Sequence, residues 1–223
     1  MKKIKQQLFK ILFSNRFGKL LLNAGFKLKY GDSSGYWQQR YLHDGTSGTG
    51  SYGALAQYKA DFINPFVQDQ QIQSVIELGC GDGNQLQYFI FPSYTGLDVS
   101  AAALQKCIDL FRTDSSKQFF PYSTVSKFTT PGCKAELALS LDVIYHLLEE
   151  EVYEKYMQDL FAASSRFVII YAWDIKKYKS LHIRHREFTP WIATHFNNWQ
   201  LKEKIEYKGK LEACDFFVYE KIA

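Results

Sequence analysis

The chain has 223 residues and a net charge of +4, and 46% of its residues are hydrophobic, 22% charged and 17% aromatic. This composition excludes a disordered or fibrous chain, and the length is too short for two full domains. The four cysteines (Cys80, Cys107, Cys133 and Cys214) form no CxxC pair and have no histidine at ligand spacing, which argues against a disulfide framework or zinc site and indicates a reducing compartment.

Basic residues are concentrated at the start of the chain. The first 31 residues carry eight of the 27 basic side chains and no acidic one, which leaves 19 basic against 23 acidic residues in the remainder. Ile4, Leu8, Ile11 and Leu12 recur among these lysines close to helical spacing. We interpret residues 1–31 as a basic amphipathic arm. Its apolar face either packs on the domain or brings residues 1–29 to an anionic membrane.

No apolar run reaches the roughly 20 residues that a membrane-spanning helix needs. The basic start also lacks a continuous apolar stretch with a small-residue cleavage site, so no signal peptide is predicted. We therefore expect a cytoplasmic protein, which would be peripheral on the inner face of the membrane if the arm binds lipid.

A glycine-rich stretch spans residues 43–53; aromatic residues such as Trp37 precede it, and Tyr52 stands near its end. Glycine permits backbone conformations closed to other residues and lets the backbone approach a ligand, whereas flexible linkers usually lack aromatics. The helix predicted next, Ala54–Phe66, ends near Pro65. We interpret residues 32–73 as a loop and a helix that cover a ligand site.

Strands and helices alternate from Ser74 onward, which predicts residues 74–223 as one α/β core. The predicted strands are Ser74–Leu78, Thr95–Val99, Phe119–Tyr122, Glu136–Leu141, Arg166–Tyr171, Gln200–Tyr207 and Asp215–Lys221. The predicted helices are Asn84–Ile90, Ala101–Phe111 with Ser100 as N-cap, Glu149–Ala163 and a last one near Thr189–His195. This order predicts a three-layer α/β/α sandwich with a mostly parallel sheet, in which the last two strands form an antiparallel hairpin.

Three glycines, Gly79, Gly81 and Gly83, stand directly between a strand and a helix. In this position glycines let the backbone turn sharply and approach a ligand that lies across the carboxyl ends of the strands. Asp98 ends the second strand and can accept hydrogen bonds from both ribose hydroxyls of an adenosine. The pattern therefore predicts an adenosine-containing cofactor.

The spacing and the charge of this loop distinguish two classes of cofactor. A dinucleotide fingerprint is GxGxxG, whereas the spacing here is GxGxG, and a pyrophosphate would be poorly served by Asp82 beside it. S-adenosylmethionine has no phosphate and carries a positive sulfonium and ammonium, which suit Glu77 and Asp82 as neighbours. The loop therefore favours the methyl donor over a dinucleotide.

Three segments resemble the class I, Rossmann-like S-adenosylmethionine-dependent methyltransferases: Ser74–Gly83, Tyr94–Ser100 and Ala138–Leu147. The resemblance covers about residues 52 to 221 and implies a seven-stranded sheet. It implies that Glu77 and the glycines surround the methionine part, that Asp98 holds the ribose and that Val99 packs on the adenine. More loosely, residues 50–53 and 182–186 resemble bacterial methyltransferases found with polysaccharide-assembly genes. The cofactor-binding residues expected in all are Glu77, Gly79, Cys80, Gly81, Asp98, Val99, Ser140, Leu141 and Tyr52.

Candidates for activating the methyl acceptor follow the fourth strand, at Asp142, Tyr145 and His146. The donor is already reactive, so the enzyme mainly positions the two reactants and removes a proton. An imidazole titrates near the working pH and suits a general base, although a histidine here is equally explained by packing. Asp142 and Asp174 end consecutive strands, as carboxylates of metal-dependent O-methyltransferases do. The Asp-Asn pair of those enzymes is absent, and we expect no metal.

The stretch from Lys176 to Arg186 is rich in Lys, Arg and His and follows the fifth strand, at the sheet edge predicted for the cofactor. Arginine binds carboxylates and phosphates through a fork of donors, which predicts a wall for an anionic acceptor such as an acidic sugar. The alternative is a solvated loop that balances nearby acids. The residues predicted to bind the acceptor are His182, Arg184, His185 and Arg186.

Together these patterns predict a methyltransferase that transfers the methyl group of S-adenosylmethionine in line to an oxygen of a small molecule or glycan. An acidic body without a stacking module disfavours RNA, and no DNA partner is expected. Two alternatives stay open. One is an RNA or protein methyltransferase, and the other is a protein that binds S-adenosylmethionine without turnover.

Overall fold

A seven-stranded sheet forms the centre of the computed structural model, which describes residues 24–43, 45–124, 134–180 and 182–222. The strands of this sheet are β1 (Val75–Leu78), β2 (Tyr94–Asp98), β3 (Lys117–Pro121), β4 (Ala135–Leu141), β5 (Ser164–Ala172), β8 (Trp199–Ile205) and β9 (Asp215–Lys221). A separate two-stranded ribbon consists of β6 (Lys177–Ser180) and β7 (Ile183–His185). The α-helices that begin and end within the described residues are α1 (Ser33–Leu42), α2 (Gly53–Asp69), α3 (Ala101–Leu110), α4 (Glu150–Ala162) and α5 (Phe188–His195).

The strand order is β3-β2-β1-β4-β5-β9-β8. Strands β1 to β5 run parallel, whereas β9 pairs antiparallel with both β5 and β8. The predicted mostly parallel seven-stranded sheet with an antiparallel C-terminal hairpin is therefore confirmed. The order reverses between β1 and β4, and such a switch point leaves a crevice at the carboxyl ends of the two strands, where ligands of open α/β sheets bind.

Two hydrophobic cores lie on opposite faces of the sheet, which confirms the three-layer sandwich. Alternate side chains of β5 enter different cores, as the two-residue period of a strand requires. Phe167, Ile169 and Tyr171 enter the core that α2 and α3 cover, and Val168, Ile170 and Ala172 enter the core that α4 and α5 cover. Ser100 caps α3 as predicted, since its side chain accepts a hydrogen bond from the Ala103 N–H.

Two helix predictions were wrong. Helix α2 does not end near Pro65 but continues to Asp69; its buried face, with Ile63 and Val67, offsets the hydrogen bond that proline cannot make. Residues 84–90 form no α-helix, only a 3-10 turn over Gln85–Tyr88. The side chain of Asn64 explains why the turn ends at Tyr88: it donates to the Tyr88 carbonyl at 2.9 Å and accepts from the Ile90 N–H at 2.9 Å.

The ribbon of β6 and β7 lies in the stretch that the sequence presented as a basic loop. Among the described residues, no helix is both long enough and apolar enough to cross a bilayer. Residues 24–30 are helical, and Phe26 packs against Tyr30 and Tyr36. The first 23 residues of the predicted arm, which spans residues 1–31, lie outside the described residues, and so does Cys133.

Candidate functional site

The glycine loop joins β1 to the turn Gln85–Tyr88 with a backbone that other residues rarely adopt. Gly79, Gly81 and Gly83 have φ values of 87°, 61° and 77°. A Cβ atom on Gly79 would lie 2.6 Å from a methyl group of Val143, and one on Gly81 would collide with Ser47. The loop therefore needs glycine for its conformation and for its close neighbours.

The loop forms one wall of a cavity of about 810 Å³, counting its open mouth, at the carboxyl ends of β1, β2 and β4. Seven of the nine residues predicted to bind the cofactor line it: Glu77, Gly79, Cys80, Gly81, Asp98, Val99 and Leu141. Two further parts of the chain line this cavity: helix α1, and residues 45–53, which we call the cover segment. The lining residues that they supply were not predicted from the sequence, and they include Ser33, Trp37, Tyr41 and Ser47.

The other two predicted cofactor-binding residues lie behind the wall of this cavity. Ser140 is fully buried, and its Oγ lies 2.8 Å from the hydroxyl of Tyr156, which does line the cavity. Tyr52 donates its hydroxyl hydrogen to Asp82 at 2.7 Å. Both residues thus support the cavity through a neighbour.

Two buried carboxyl groups face this cavity. Asp98 accepts hydrogen bonds at 2.9 Å from the N–H of Gly81 and from the N–H of Ser100, and burial raises its pKa to about 6 against the effect of these donors. Glu77 accepts from the Tyr94 hydroxyl at 2.6 Å, and burial raises its pKa to about 7. A positively charged ligand would stabilise the ionised form of both groups.

Asp82 holds the cover segment onto the glycine loop. Its carboxylate accepts from the Ser47 N–H at 3.0 Å, the Ser47 hydroxyl at 2.8 Å and the Tyr52 hydroxyl at 2.7 Å. Burial acts to raise the pKa of Asp82, but these hydrogen bonds keep it below its ordinary value. Asp82 was expected beside the cofactor as a favourable charge. In the structure, the Asp82 carboxylate binds residues 45–53 through these hydrogen bonds.

A second cavity, of about 1030 Å³ counting its open mouth, adjoins the first. The two share Trp37, Ser47, Asp142 and His146. The three residues predicted to be catalytic all line this second cavity, since Tyr145 belongs to it as well. The structure therefore brings the predicted catalytic residues together at the junction of the two cavities.

Asp142 sits at this junction with a strained backbone, at φ 62°. Its Oδ2 accepts from the ammonium group of Lys59 at 2.6 Å, and its Oδ1 accepts from the Tyr145 hydroxyl at 2.8 Å. Lys59 is fully buried in α2 and was missed in the sequence. A signal that could have revealed it is its position on the same helical face as Ala56 and Ile63, where an unpaired charge would be costly.

His146 is held in one tautomer. Its Nδ1 lies 2.8 Å from the carbonyl oxygen of His182, which can only accept, so Nδ1 carries the hydrogen and Nε2 is unprotonated in the neutral ring. Burial lowers the pKa of His146 to about 4, which keeps the ring neutral at physiological pH. The expectation that this imidazole titrates near the working pH was therefore wrong, because burial of the ring disfavours its charged form. Trp37 and Tyr145 pack against it, with ring centroids 4.8 Å and 4.5 Å away.

The residues predicted to bind the acceptor divide into two pairs. His182 and His185 line the second cavity. Arg184 and Arg186, expected as part of that wall, line neither cavity; both pair with Glu150, at 2.8 Å and 3.3 Å, and donate to the backbone carbonyls of residues 147 and 148. Their fork of donors finds backbone carbonyls and a carboxylate within the chain, so the expected placement was wrong.

Asp174, the other carboxylate that was considered as a metal ligand, forms hydrogen bonds to backbone N–H groups. It accepts from the N–H of Phe188 at 2.6 Å and of Thr189 at 3.2 Å, which places its carboxylate at the start of α5. Within the described ranges, no three His, Cys, Asp or Glu side chains are grouped so that they could hold a metal ion.

No family model and no curated protein sequence matches the chain. Solved structures do. N-methyltransferase NodS from Bradyrhizobium japonicum WM9, in complex with S-adenosyl-L-homocysteine, superposes with a TM-score of 0.69 at 13% identity, over 85% of this chain and 98% of that one. The methyltransferase domain of bacterial CtHen1 gives 0.60 at 20% identity, over 75% and 98%. Magnesium protoporphyrin IX methyltransferase from Synechocystis PCC 6803, with bound S-adenosyl-L-homocysteine, gives 0.57 at 15%, over 86% and 97%. The chain has the Rossmann-like fold of the class I methyltransferases.

Proposed function

We propose that the protein is an S-adenosylmethionine-dependent methyltransferase that methylates a hydroxyl oxygen of a small molecule or glycan. The observation that carries this proposal is the meeting of two cavities at Asp142 and His146, one with the glycine loop and Asp98, the other with room for an acceptor. A group held in the first cavity can react there with a group held in the second. The shared fold with NodS and the magnesium protoporphyrin enzyme, both solved with the demethylated product, supports the same reaction class.

The residues of the first cavity fit an adenosine that carries a cationic amino acid. Asp98 would accept hydrogen bonds from the ribose hydroxyls, and Val99 would pack on the adenine. Glu77 would face the ammonium group, whose charge favours the ionised carboxylate. Gly79, Cys80 and Gly81 give the loop its close approach. When bound, S-adenosylmethionine supplies a methyl group on a positively charged sulfur.

The residues of the second cavity prepare the acceptor. His146 takes the proton of the acceptor hydroxyl on Nε2, because its Nδ1 hydrogen is held by the His182 carbonyl. S-adenosylmethionine, held by Glu77, the glycine loop and Asp98, would supply the methyl group for this oxygen, and its sulfur would keep the electron pair of the broken bond as S-adenosylhomocysteine. Asp142 acts as a positioning residue, since Lys59 and Tyr145 occupy its two oxygens. Leu141, beside it, bounds the reacting space.

Calorimetry with S-adenosylmethionine and S-adenosylhomocysteine tests the cofactor, and absence of binding to both would refute the proposal. Transfer of labelled methyl groups to small molecules and glycans in cell extracts then tests turnover. A protein that binds the donor but labels nothing would be a binding protein. Labelling of RNA, with binding that falls steeply as salt rises, would identify RNA as the acceptor instead.

A membrane contact through residues 1–29 is a separate part of the proposal and rests on the sequence. Deletion of residues 1–29 should leave the affinity for S-adenosylhomocysteine unchanged and weaken binding to vesicles that contain anionic lipid. Equal vesicle binding by the full and shortened chains would refute the membrane contact and leave the methyltransferase proposal intact.

A further inference from the structure

One arginine lines the second cavity, and it was not among the residues that the sequence predicted to bind the acceptor. Arg40 lies in α1, lines the cavity and is half-buried. Among the described residues that line this cavity, no other arginine and no lysine is present. The cationic residues expected there from the sequence, Arg184 and Arg186, are held by Glu150.

Neutral groups fix the guanidinium of Arg40. Its Nε donates to the Thr46 carbonyl at 2.7 Å, and its Nη1 donates to the Tyr36 hydroxyl at 3.3 Å. The group also lies over the ring of Trp37, 5.2 Å from the centroid. These contacts orient the fork of donors without neutralising it. No carboxylate within the described ranges forms an ion pair with Arg40, in contrast to Arg166, Arg184 and Arg186.

A glycine leaves space at the free end of this fork. Gly48 lines the same cavity, and a Cβ atom placed on it would lie 3.6 Å from Nη2 of Arg40. Gly48 also has a φ of 100°, a backbone conformation that disfavours a residue with a side chain at this position. The described hydrogen bonds of Arg40 come from Nε and Nη1, and Nη2 is the atom of this side chain that lies beside Gly48, a residue of the cavity wall.

The remaining charges of the cavity do not remove the positive potential of Arg40. Asp142 is paired with Lys59 at 2.6 Å. Burial and the positive charge of Arg40 lower the pKa of His182, so this ring is neutral at physiological pH. Glu212 stands at the exposed rim. The interior of the cavity therefore carries one oriented positive group.

Aromatic side chains form a further part of the wall of this cavity. Trp37, Tyr145, Tyr171 and Trp173 line the cavity, and the ring of His182 stacks on Tyr36 with centroids 5.0 Å apart. Flat faces of this kind pack against the apolar face of a ring, including a sugar ring. An arginine fork pairs with a carboxylate or phosphate through charge-assisted hydrogen bonds.

We propose that Arg40 binds an oxyanion of the methyl acceptor, and that the acceptor is a ring-shaped small molecule bearing a carboxylate or a phosphate. This inference deepens the proposed function and assigns the acceptor's charge to the second cavity. It places the anion-binding role on Arg40, in α1, and removes it from Arg184 and Arg186.

The test uses the full chain saturated with S-adenosylhomocysteine, with binding followed by tryptophan fluorescence and calorimetry. The probes are glucuronate, glucose 6-phosphate and inorganic phosphate, with glucose as the neutral counterpart. We expect at least one oxyanion to bind and glucose to bind more than tenfold more weakly. Comparison of glucuronate with glucose 6-phosphate tells whether the group is a carboxylate or a phosphate.

Two substitutions assign the binding to Arg40. Arg40→Met should weaken oxyanion binding at least tenfold, and Arg40→Lys should weaken it less because the charge remains without the fork. Arg112→Met, at an exposed arginine just after α3, is the matched control and should change nothing. An affinity for S-adenosylhomocysteine within threefold of the parent shows that each variant is folded.

Two results would overturn this inference. One is the absence of binding for all three oxyanions, and the other is binding that both Arg40 variants retain in full. A chain that fails to bind S-adenosylhomocysteine refutes the proposed function instead, and the same oxyanion titrations on the ligand-free protein then still decide the role of Arg40.

Discussion

Lys59 donates a hydrogen bond to Asp142 at 2.6 Å and thereby joins α2 to the end of β4, between the two cavities. The lysine side chain is 0% exposed and that of Asp142 is 16% exposed. Removal of one partner from such a pair leaves the other as an uncompensated, partly buried charge. The pair therefore links the stability of the fold to the shape of the site.

Lys59→Met should lower the free energy of unfolding by about 3 kcal/mol, because Asp142 would lose its counter-charge. Urea denaturation measures the change. Lys202→Met, which breaks an exposed pair with Glu220, is the control and should cost less than about 1 kcal/mol. The double variant with Asp142→Asn should be more stable than Lys59→Met alone. Equal stability of Lys59→Met and the parent would show that the pair contributes little.

Asp98→Ala should weaken S-adenosylhomocysteine binding on the order of 100-fold, because the ribose hydroxyls and the N–H groups of Gly81 and Ser100 would lose their acceptor. Isothermal titration calorimetry measures the loss. Asp98→Asn keeps the shape and one acceptor oxygen, so it should bind more tightly than Asp98→Ala. An affinity within threefold of the parent in both variants would exclude Asp98 from the cofactor site.

His146→Ala should reduce methyl transfer by about 10²- to 10⁴-fold, since the acceptor hydroxyl would lose its general base. The affinity for S-adenosylhomocysteine should stay within about threefold. His195→Ala, at the exposed end of α5, is the control and should transfer methyl groups at the parent rate. Full activity of His146→Ala would assign this histidine to packing against Trp37 and Tyr145.

Binding of S-adenosylmethionine should tighten as pH rises from about 5.5 to 7, since Glu77, with a pKa of about 7, must ionise to attract the ammonium group. About tenfold in affinity is expected for each pH unit well below that pKa. Calorimetry across this range measures the profile, and Glu77→Gln should make it shallower, with the remaining slope coming from Asp98, whose pKa is about 6. A parent profile as flat as that of the variant would remove Glu77 from contact with the cofactor.

The same group has the opposite effect on the stability of the ligand-free protein. Its pKa is raised in the folded state from 4.5 to about 7, so its contribution is fully present below pH 4.5 and is lost as pH rises through 7. The free energy of unfolding of the parent, relative to that of Glu77→Gln, should therefore fall between pH 4.5 and 7. A difference that is constant over this range would contradict the raised pKa.

Tyr52→Phe should release S-adenosylhomocysteine about tenfold faster, because the cover segment would lose one of its hydrogen bonds to Asp82. Stopped-flow displacement measures this rate. Tyr207→Phe, whose ring lies against Tyr58 away from the glycine loop, provides the comparison and should leave the rate unchanged. Release at the parent rate from Tyr52→Phe would mean that the cover segment does not control exit.

Local sequence patterns were enough to predict the features that depend on the backbone and on residues close in the sequence. The structure has the glycines after β1 and Asp98 at the end of β2, as the sequence predicts, because strand, turn and acid lie within some twenty residues and interact directly, as the Gly81–Asp98 hydrogen bond shows. The sheet followed from alternating apolar segments. The end of the turn at Tyr88 could not be predicted, because Asn64, on a distant helix, determines it.

Contacts between side chains that are far apart in the sequence could not be predicted. Lys59 and Asp142 are 83 residues apart, and only the packing of α2 on the sheet brings them together. A basic run cannot show by itself whether an arginine meets a ligand or a nearby carboxylate, which is why Arg184 was placed wrongly and Arg40 was overlooked.

The hold of Asp82 on residues 45–53 has a consequence for the kinetic order of the reaction. Ser47 belongs to both cavities, and Gly48 to Gly50 line the second one, so part of the acceptor's binding surface exists only while this segment rests on the glycine loop. An acceptor bound there would also block the way out for the donor. The reaction should then follow an ordered mechanism, in which the methyl donor binds first and S-adenosylhomocysteine leaves last. In product inhibition, S-adenosylhomocysteine should therefore compete with the methyl donor and not with the acceptor.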